Sequence, residues 1–213
     1  MTAEHVTLAE QFVQPRQQRT ADFMGMYVFL GTETMLFGAL LALVFAYRLA
    51  HPAESAEAAR HLKIWIATAN TAVLLTSSLA VALGVHAARA GRRRALALGF
   101  AAAILLGVLF LGLKGYEYLQ DFKEGLGPGT GAPSLLRVGP AALFIDLYFV
   151  ATSLHAVHLS VGLGVLGWTA IRVLTQRTRV PQQAIVAEMS GLYWHFVDVV
   201  WVFLFPIFYL ARA

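Results

Sequence analysis

Long apolar runs dominate this chain, separated by short polar connections. A helix that crosses a bilayer needs about 20 consecutive, mainly apolar residues. Five stretches reach that length: residues 23–47, 64–88, 95–116, 141–171 and 189–211. The first carries Glu33 as its only formal charge, and the second holds Asn70 inside and His86 near its end. The third is uncharged as far as Leu113, the fourth contains Asp146, His155 and His158, and the fifth contains His195 and Asp198. The fourth is longer than a bilayer requires, so tilting or projection beyond the hydrocarbon is expected. The pattern predicts an all-α polytopic membrane protein, a bundle of five transmembrane helices in a single domain over 23–212. A polar tail, 1–22, precedes it, without a short apolar core and small-residue cleavage site, so the first helix is expected to be retained.

The connections sharpen the topology. "GRRR" (91–94) predicts a tight turn and "TQRTRVPQQ" (175–183) a modest polar loop. The longest, "DFKEGLGPGTGAPSLLRVGP" (121–140), is broken by Gly and Pro. Alternating the sides places Arg16, Arg19, Arg89, Arg92, Arg93, Arg94, Arg172, Arg177 and Arg179 together. Arg48, Arg60, Lys63, Lys114, Lys123, Arg137 and Arg212 fall opposite, nine against seven. The excess of Lys and Arg on cytoplasmic loops then predicts a cytoplasmic N-terminus and an external C-terminus.

Composition removes several function classes. Only 13% of the 213 residues are charged and 58% are hydrophobic, against about 25% charged in soluble domains. The absence of cysteine excludes disulfides, thiolate metal sites, iron–sulfur clusters and a cysteine-bridged copper pair. The net charge of +4 sits in inter-helix loops and forms no continuous basic face, so no nucleic-acid partner is expected.

A few polar residues inside the apolar runs carry the candidate chemistry. A charge at the depth of Glu33 costs at least about 2.5–3.5 kcal/mol, so Glu33 either handles protons or binds a partner, or is a protonated packing residue. His155 and His158 lie on neighbouring positions of one helix. With His195 they invite a metal-site reading; hydrogen bonds to carboxylates and hydroxyls on adjacent helices are the stronger expectation, with no metal. His155, His158, Glu188, His195 and Asp198 are therefore predicted to form an interhelical polar network, with Tyr193 as a further partner. Arg92, Arg93, Arg94, His86 and Trp65 are candidates for lipid headgroup contact. "SVGLG" (160–164), "AVALG" (80–84), and Gly25, Gly31 and Gly38 predict close helix approaches. Trp168, Trp194, Trp201, Tyr193 and Tyr209 fit interface belts or interhelical packing.

Five of these stretches share a resemblance. "GLYWHFVDVVWVFLFPIFYL" (191–210) closely resembles the terminal helix of the cytochrome c oxidase subunit III family of haem–copper oxidases. "YVFLGTETMLFGALLALVFAYR" (27–48) resembles its helix with a buried glutamate, and "ANTAVLLTSSLAVALGVHAA" (69–88) its Asn-Thr helix ending in histidine. "LKGYEYLQDF" (113–122) is similar to its aromatic Glu-Tyr segment, and "LHAVHLSVGLGVL" (154–166) to its paired-histidine helix. The order is the family's, over roughly residues 22–212. Mitochondrial-type members have two further N-terminal helices, so the chain resembles the shorter five-helix bacterial form.

That resemblance implies an accessory subunit without haem or copper of its own, in a bacterial cytoplasmic (inner) membrane. The redox centres are expected in partner subunits I and II, and the reaction of the complex is reduction of oxygen to water. It further implies support of proton uptake, protection of the catalytic subunit and bound phospholipid. Glu33 matches the family glutamate that reacts with carbodiimides. Quinol oxidases and nitric oxide reductases have equivalent subunits. A stand-alone bis-histidine haem cytochrome using His86, His155, His158 and His195 is the reading from another class. A proton-coupled transporter around Glu33 lacks the expected inverted repeat.

Overall fold

The computed structural model describes residues 15–125, 139–175 and 184–210. Among these, six helices follow one another: α1 (Pro15–Ala50), α2 (Pro52–His61), α3 (Ile64–Arg89), α4 (Arg93–Lys123), α5 (Pro140–Leu174) and α6 (Ala184–Tyr209). All except α2 are long and apolar enough to cross a membrane. The chain is an all-α, multi-pass membrane protein with five spans. Residues 15–22, expected in the polar tail, continue α1. α4 runs to Lys123 rather than ending near 116, and α6 starts at Ala184. The earlier part of the tail, much of the 121–140 connection and most of 175–183 lie outside the described residues.

Hydropathy does not predict α2, because Glu54, Glu57, Arg60 and His61 interrupt its ten residues. Pro52 opens the helix at a position that needs no N–H donor. Its inner face is small: Ser55, Ala56, Ala58 and Ala59 are buried, while Glu57 and Arg60 remain exposed. α2 packs chiefly on α5.

α6 is the central helix. Half of its apolar stretch is buried in the bundle, against 11% for α1. α3 and α4 form the most extensive pair, and the "GRRR" turn explains how they are joined. Arg92 N–H donates to the Ala87 carbonyl (2.9 Å) and Gly91 N–H to that of Ala88 (3.0 Å). These bonds form a Schellman motif with Gly91 at φ 71°, a region that favours glycine. Arg93 and Arg94 belong to the first turn of α4.

Small residues then set the spacing. A Cβ on Gly99 would lie 2.8 Å from the Ala80 carbonyl and 3.0 Å from Gly84 Cα, so α3 and α4 touch backbone to backbone. Gly107 and Gly162 flank the buried Trp194 ring, leaving no room for larger side chains. Gly84 therefore has the expected role and Gly162, inside "SVGLG", packs closely, but Gly164 at the end of that pattern and Gly25, Gly31 and Gly38 meet nothing within 4 Å. Trp194, Trp201, Tyr193 and Tyr209 are buried packing residues, and Trp168 is exposed.

Candidate functional site

α1 buries a narrow stripe. Met26, Leu30, Phe37, Leu40 and Val44, spaced three, four or seven residues apart, face the bundle. Glu33 falls in that stripe, near the middle of the helix. Its Oε2 lies 2.9 Å from His158 Nε2 on α5. The other imidazole nitrogen, Nδ1, donates to the Leu154 carbonyl at 2.9 Å. Phe37 meets the imidazole edge-on at 5.0 Å. Tyr193 on α6 donates to the His158 carbonyl at 3.2 Å.

The five residues expected to form one network are distributed among separate sites. His158 pairs with Glu33. His155 is buried between Phe110 (5.7 Å) and Trp201 (5.2 Å), and neither ring nitrogen makes a hydrogen bond among the described residues. Three residues along a helix leave side chains about 60° apart, enough to send one ring inward and the other towards α1. His195 Nδ1 is 2.6 Å from Ser78 Oγ on α3, which replaces the partners expected on α5 and at Glu188. Asp198, one turn further on, is buried close to Ser78. Glu188 accepts from Arg89 Nε (2.7 Å) and Arg19 Nη2 (3.0 Å), tying the start of α6 to α3 and α1.

His155, His158 and His195 have different partners, and among the described residues no group of three or more His, Asp or Glu side chains could hold a metal ion.

A second buried polar cluster is not evident from the sequence. Lys114 donates to Glu117 Oε2 (3.1 Å), Tyr148 OH (2.8 Å) and Tyr209 OH. Tyr148 and Tyr209 in turn donate to Glu117 Oε1 at 3.0 and 2.7 Å. Every ammonium proton is used, and the charges of Lys114 and Glu117 cancel. Trp201 and Tyr118 add aromatic faces to the ammonium at 5.4 and 5.3 Å. Asp121 lies one turn beyond Glu117, 3.8 Å from Lys63, which also binds Glu124 at 3.0 Å. Tyr118 bonds Thr152 alongside. The signal that could have found this cluster is a phase: Phe100, Ala103, Gly107, Phe110, Lys114, Glu117 and Asp121 continue one buried stripe of α4.

The headgroup candidates do not form one site. Arg92, Arg93 and Arg94 join α3 to α4, whereas Trp65 is 84% exposed at the opposite end of α3, about 38 Å away by helix length. His86 borders a half-polar cleft of about 420 Å3 with Tyr27, Arg89, Glu188 and His195. A larger, mainly apolar cleft of about 710 Å3 opens between α1, α5 and α6. Gly25, Met26, Phe29, Val161, Trp168 and Met189 line it, so Gly25 widens a cleft instead of packing a helix. Arg172 stacks over Trp168, one of these lining residues, at 4.7 Å, with its Nε free of hydrogen bonds among the described residues.

Comparison with known proteins agrees with this architecture. The family model described as Cytochrome c oxidase subunit III matches residues 17–212. Cytochrome c oxidase subunit 3 of Corynebacterium diphtheriae is 31% identical over 192 residues, covering 89% of this chain and 87% of the relative. The protein of that name from Alkalihalophilus pseudofirmus is 30% identical over 197 residues, covering 88% and 85%. Quinol oxidase subunit 3 of Bacillus spizizenii is 30% identical over 189 residues, covering 89% and 86%. The chain, with its five spans and its match from residue 17 to residue 212, belongs to the cytochrome c oxidase subunit III family.

Proposed function

We propose that this chain is the non-redox accessory subunit of a haem–copper terminal oxidase that takes electrons from cytochrome c and reduces oxygen to water. Subunits I and II carry the haem and copper. This chain stabilises the catalytic subunit, supports its proton uptake and holds phospholipid. The observation that carries the reading is the separate engagement of the histidines: His158 by Glu33, His195 by Ser78, and His155 between aromatic rings. Side chains so placed organise a bundle, and His155, His158 and His195 each have a different partner. The same complex working on quinol is the second reading, favoured by the similarity to a quinol oxidase subunit. The equivalent subunit of a nitric oxide reductase is a third partner assignment.

The larger cleft supports the phospholipid part. Its apolar walls suit acyl chains, and Arg172, stacked over the lining Trp168, suits a headgroup phosphate. Around the smaller cleft, His86, Arg89 and the nearby Arg92–Arg94 turn suit a second anionic headgroup. Orientation follows from the basic residues, with the N-terminus in the cytoplasm of a bacterial cell and the chain in its inner membrane. Lys114 is buried within the bundle and leaves the external tally, so nine cytoplasmic basic residues face six.

Purification through a tag on this chain in mild detergent tests the reading. A reduced-minus-oxidised haem–copper spectrum from the complex, with the larger oxidase subunits present and none of that spectrum from the isolated chain, is the expected result. Haem retained by the isolated chain would overturn it.

A further inference from the structure

We propose that Asp198 is a buried acid that exchanges its proton with the half-polar cleft beside α3 and α6, along a relay made by Ser78 and His195. The relay lies in the α3–α6 interface, apart from Glu33 and His158, which join α1 to α5. Asp198 is 4% exposed, and neither carboxyl oxygen makes a hydrogen bond among the described residues. The polar group beside it is the Ser78 hydroxyl. Basic groups on the surrounding helices are engaged elsewhere: Arg89 with Glu188, Lys114 with Glu117 and His158 with Glu33. His155 turns to Phe110 and Trp201. A lone carboxylate removed from water costs far more than the neutral acid. Asp198 therefore carries an O–H with a proton to give.

The neighbours are placed to receive it. Ser78 Oγ is 2.6 Å from His195 Nδ1, so one hydroxyl stands between the acid and the imidazole. His195 is half-buried and lines the cleft of about 420 Å3 together with Tyr27, His86, Arg89 and Glu188. That size and those walls admit water. With Nδ1 on Ser78, Nε2 is the nitrogen left to exchange with the cleft. Ten residues separate Glu188 from Asp198, so the acid lies about 15 Å along α6 from the Arg89–Glu188 ion pair.

Release runs in one direction through three groups. The Asp198 proton passes to Ser78 Oγ as the hydroxyl's own proton passes to His195 Nδ1. The Nε2 proton then leaves to water in the cleft. Three bonds to hydrogen break and three form, leaving a carboxylate at Asp198, an unchanged serine and the other neutral tautomer of His195. The reverse sequence refills the acid.

Infrared spectra of the intact complex, transferred from H2O to D2O, test the relay. A carboxylic acid C=O band is expected to be present, to vanish in Asp198→Asn, and to move to lower wavenumber in D2O. In Ser78→Ala and in His195→Gln the band is expected to remain while its D2O shift slows about tenfold. Ser78→Thr, which keeps a hydroxyl, is expected to exchange as the parent does, with assembly of each variant read from its subunit composition. Carboxylate bands lost in Asp198→Asn in place of the acid band would overturn the proposal. So would an acid band that D2O never moves, or exchange in Ser78→Ala and His195→Gln as fast as in the parent. The measurement needs no turnover, so a complex without haem would sink the oxidase reading and leave the relay standing.

Discussion

Lys114 and Glu117 form a buried ion pair within α4. Both are buried, and their hydrogen bonds join α4 to α5 and α6 through two tyrosines. Removing one member of a buried ion pair leaves an uncompensated charge and costs about 3–5 kcal/mol, whereas replacing both with apolar residues is often neutral. Lys114→Met is therefore expected to lower sharply the temperature at which this subunit leaves the purified complex. Lys114→Met with Glu117→Met is expected to recover most of the loss. If the double variant proves worse than the single, the pair is not the unit proposed. At Ser78, removal of the hydroxyl leaves His195 Nδ1 without its observed partner. Ser78→Ala is expected to cost about 1–3 kcal/mol, read by the same thermal dissociation. Glu33, His195 and Asp198 are visible in the sequence because each interrupts an apolar run. Their partners are not, since a hydroxyl such as Ser78 carries no mark of what it faces across the bundle.

At the scale of elements, two junctions fix the bundle. The α3–α4 turn depends on Gly91 at φ 71°; a β-carbon in this region costs roughly 1–2 kcal/mol. Gly91→Ala should destabilise by that amount without altering the spectrum of the complex, and an unchanged dissociation temperature would contradict the motif. The second junction is Glu188, held by Arg19 and Arg89. Glu188→Gln weakens two charge-assisted bonds, each worth about 1.5–3 kcal/mol in favourable settings and less at the exposed arginine ends. The expected result is earlier loss of the α1–α6 contact, seen as faster proteolysis near residue 19. The five long helices are legible because bilayer thickness imposes a length that few other structures need. α2 is not, because an Ala-rich amphipathic segment of ten residues has no comparable length signal.

For the whole molecule, the inward phase of each helix matters more than its hydropathy. The absence of cysteine makes single-cysteine topology clean. Arg60→Cys is expected to react with an impermeant thiol reagent in intact cells, and Arg93→Cys only after the membrane is opened. The reverse pattern would invert the proposed orientation. α1, with only 11% of its apolar stretch buried, leaves most of its surface to lipid or a partner subunit. Half of α6 is enclosed, which explains why its aromatic residues pack inside the bundle rather than forming a belt.

The sequence by itself determined the five spans, their alternating direction and the family, because desolvating a backbone in lipid demands long apolar helices and the motifs occur in order along them. It also exposed the charged and imidazole side chains that needed partners. Only the tertiary structure decided the pairings: Glu33 with His158, Ser78 with His195, Glu188 with two arginines, and Lys114 with Glu117 and two tyrosines. Helical periodicity sets the angle at which a residue leaves its own helix. Which groups meet there depends on the rotation and depth of the neighbouring helices, and those emerge only when all five are packed together.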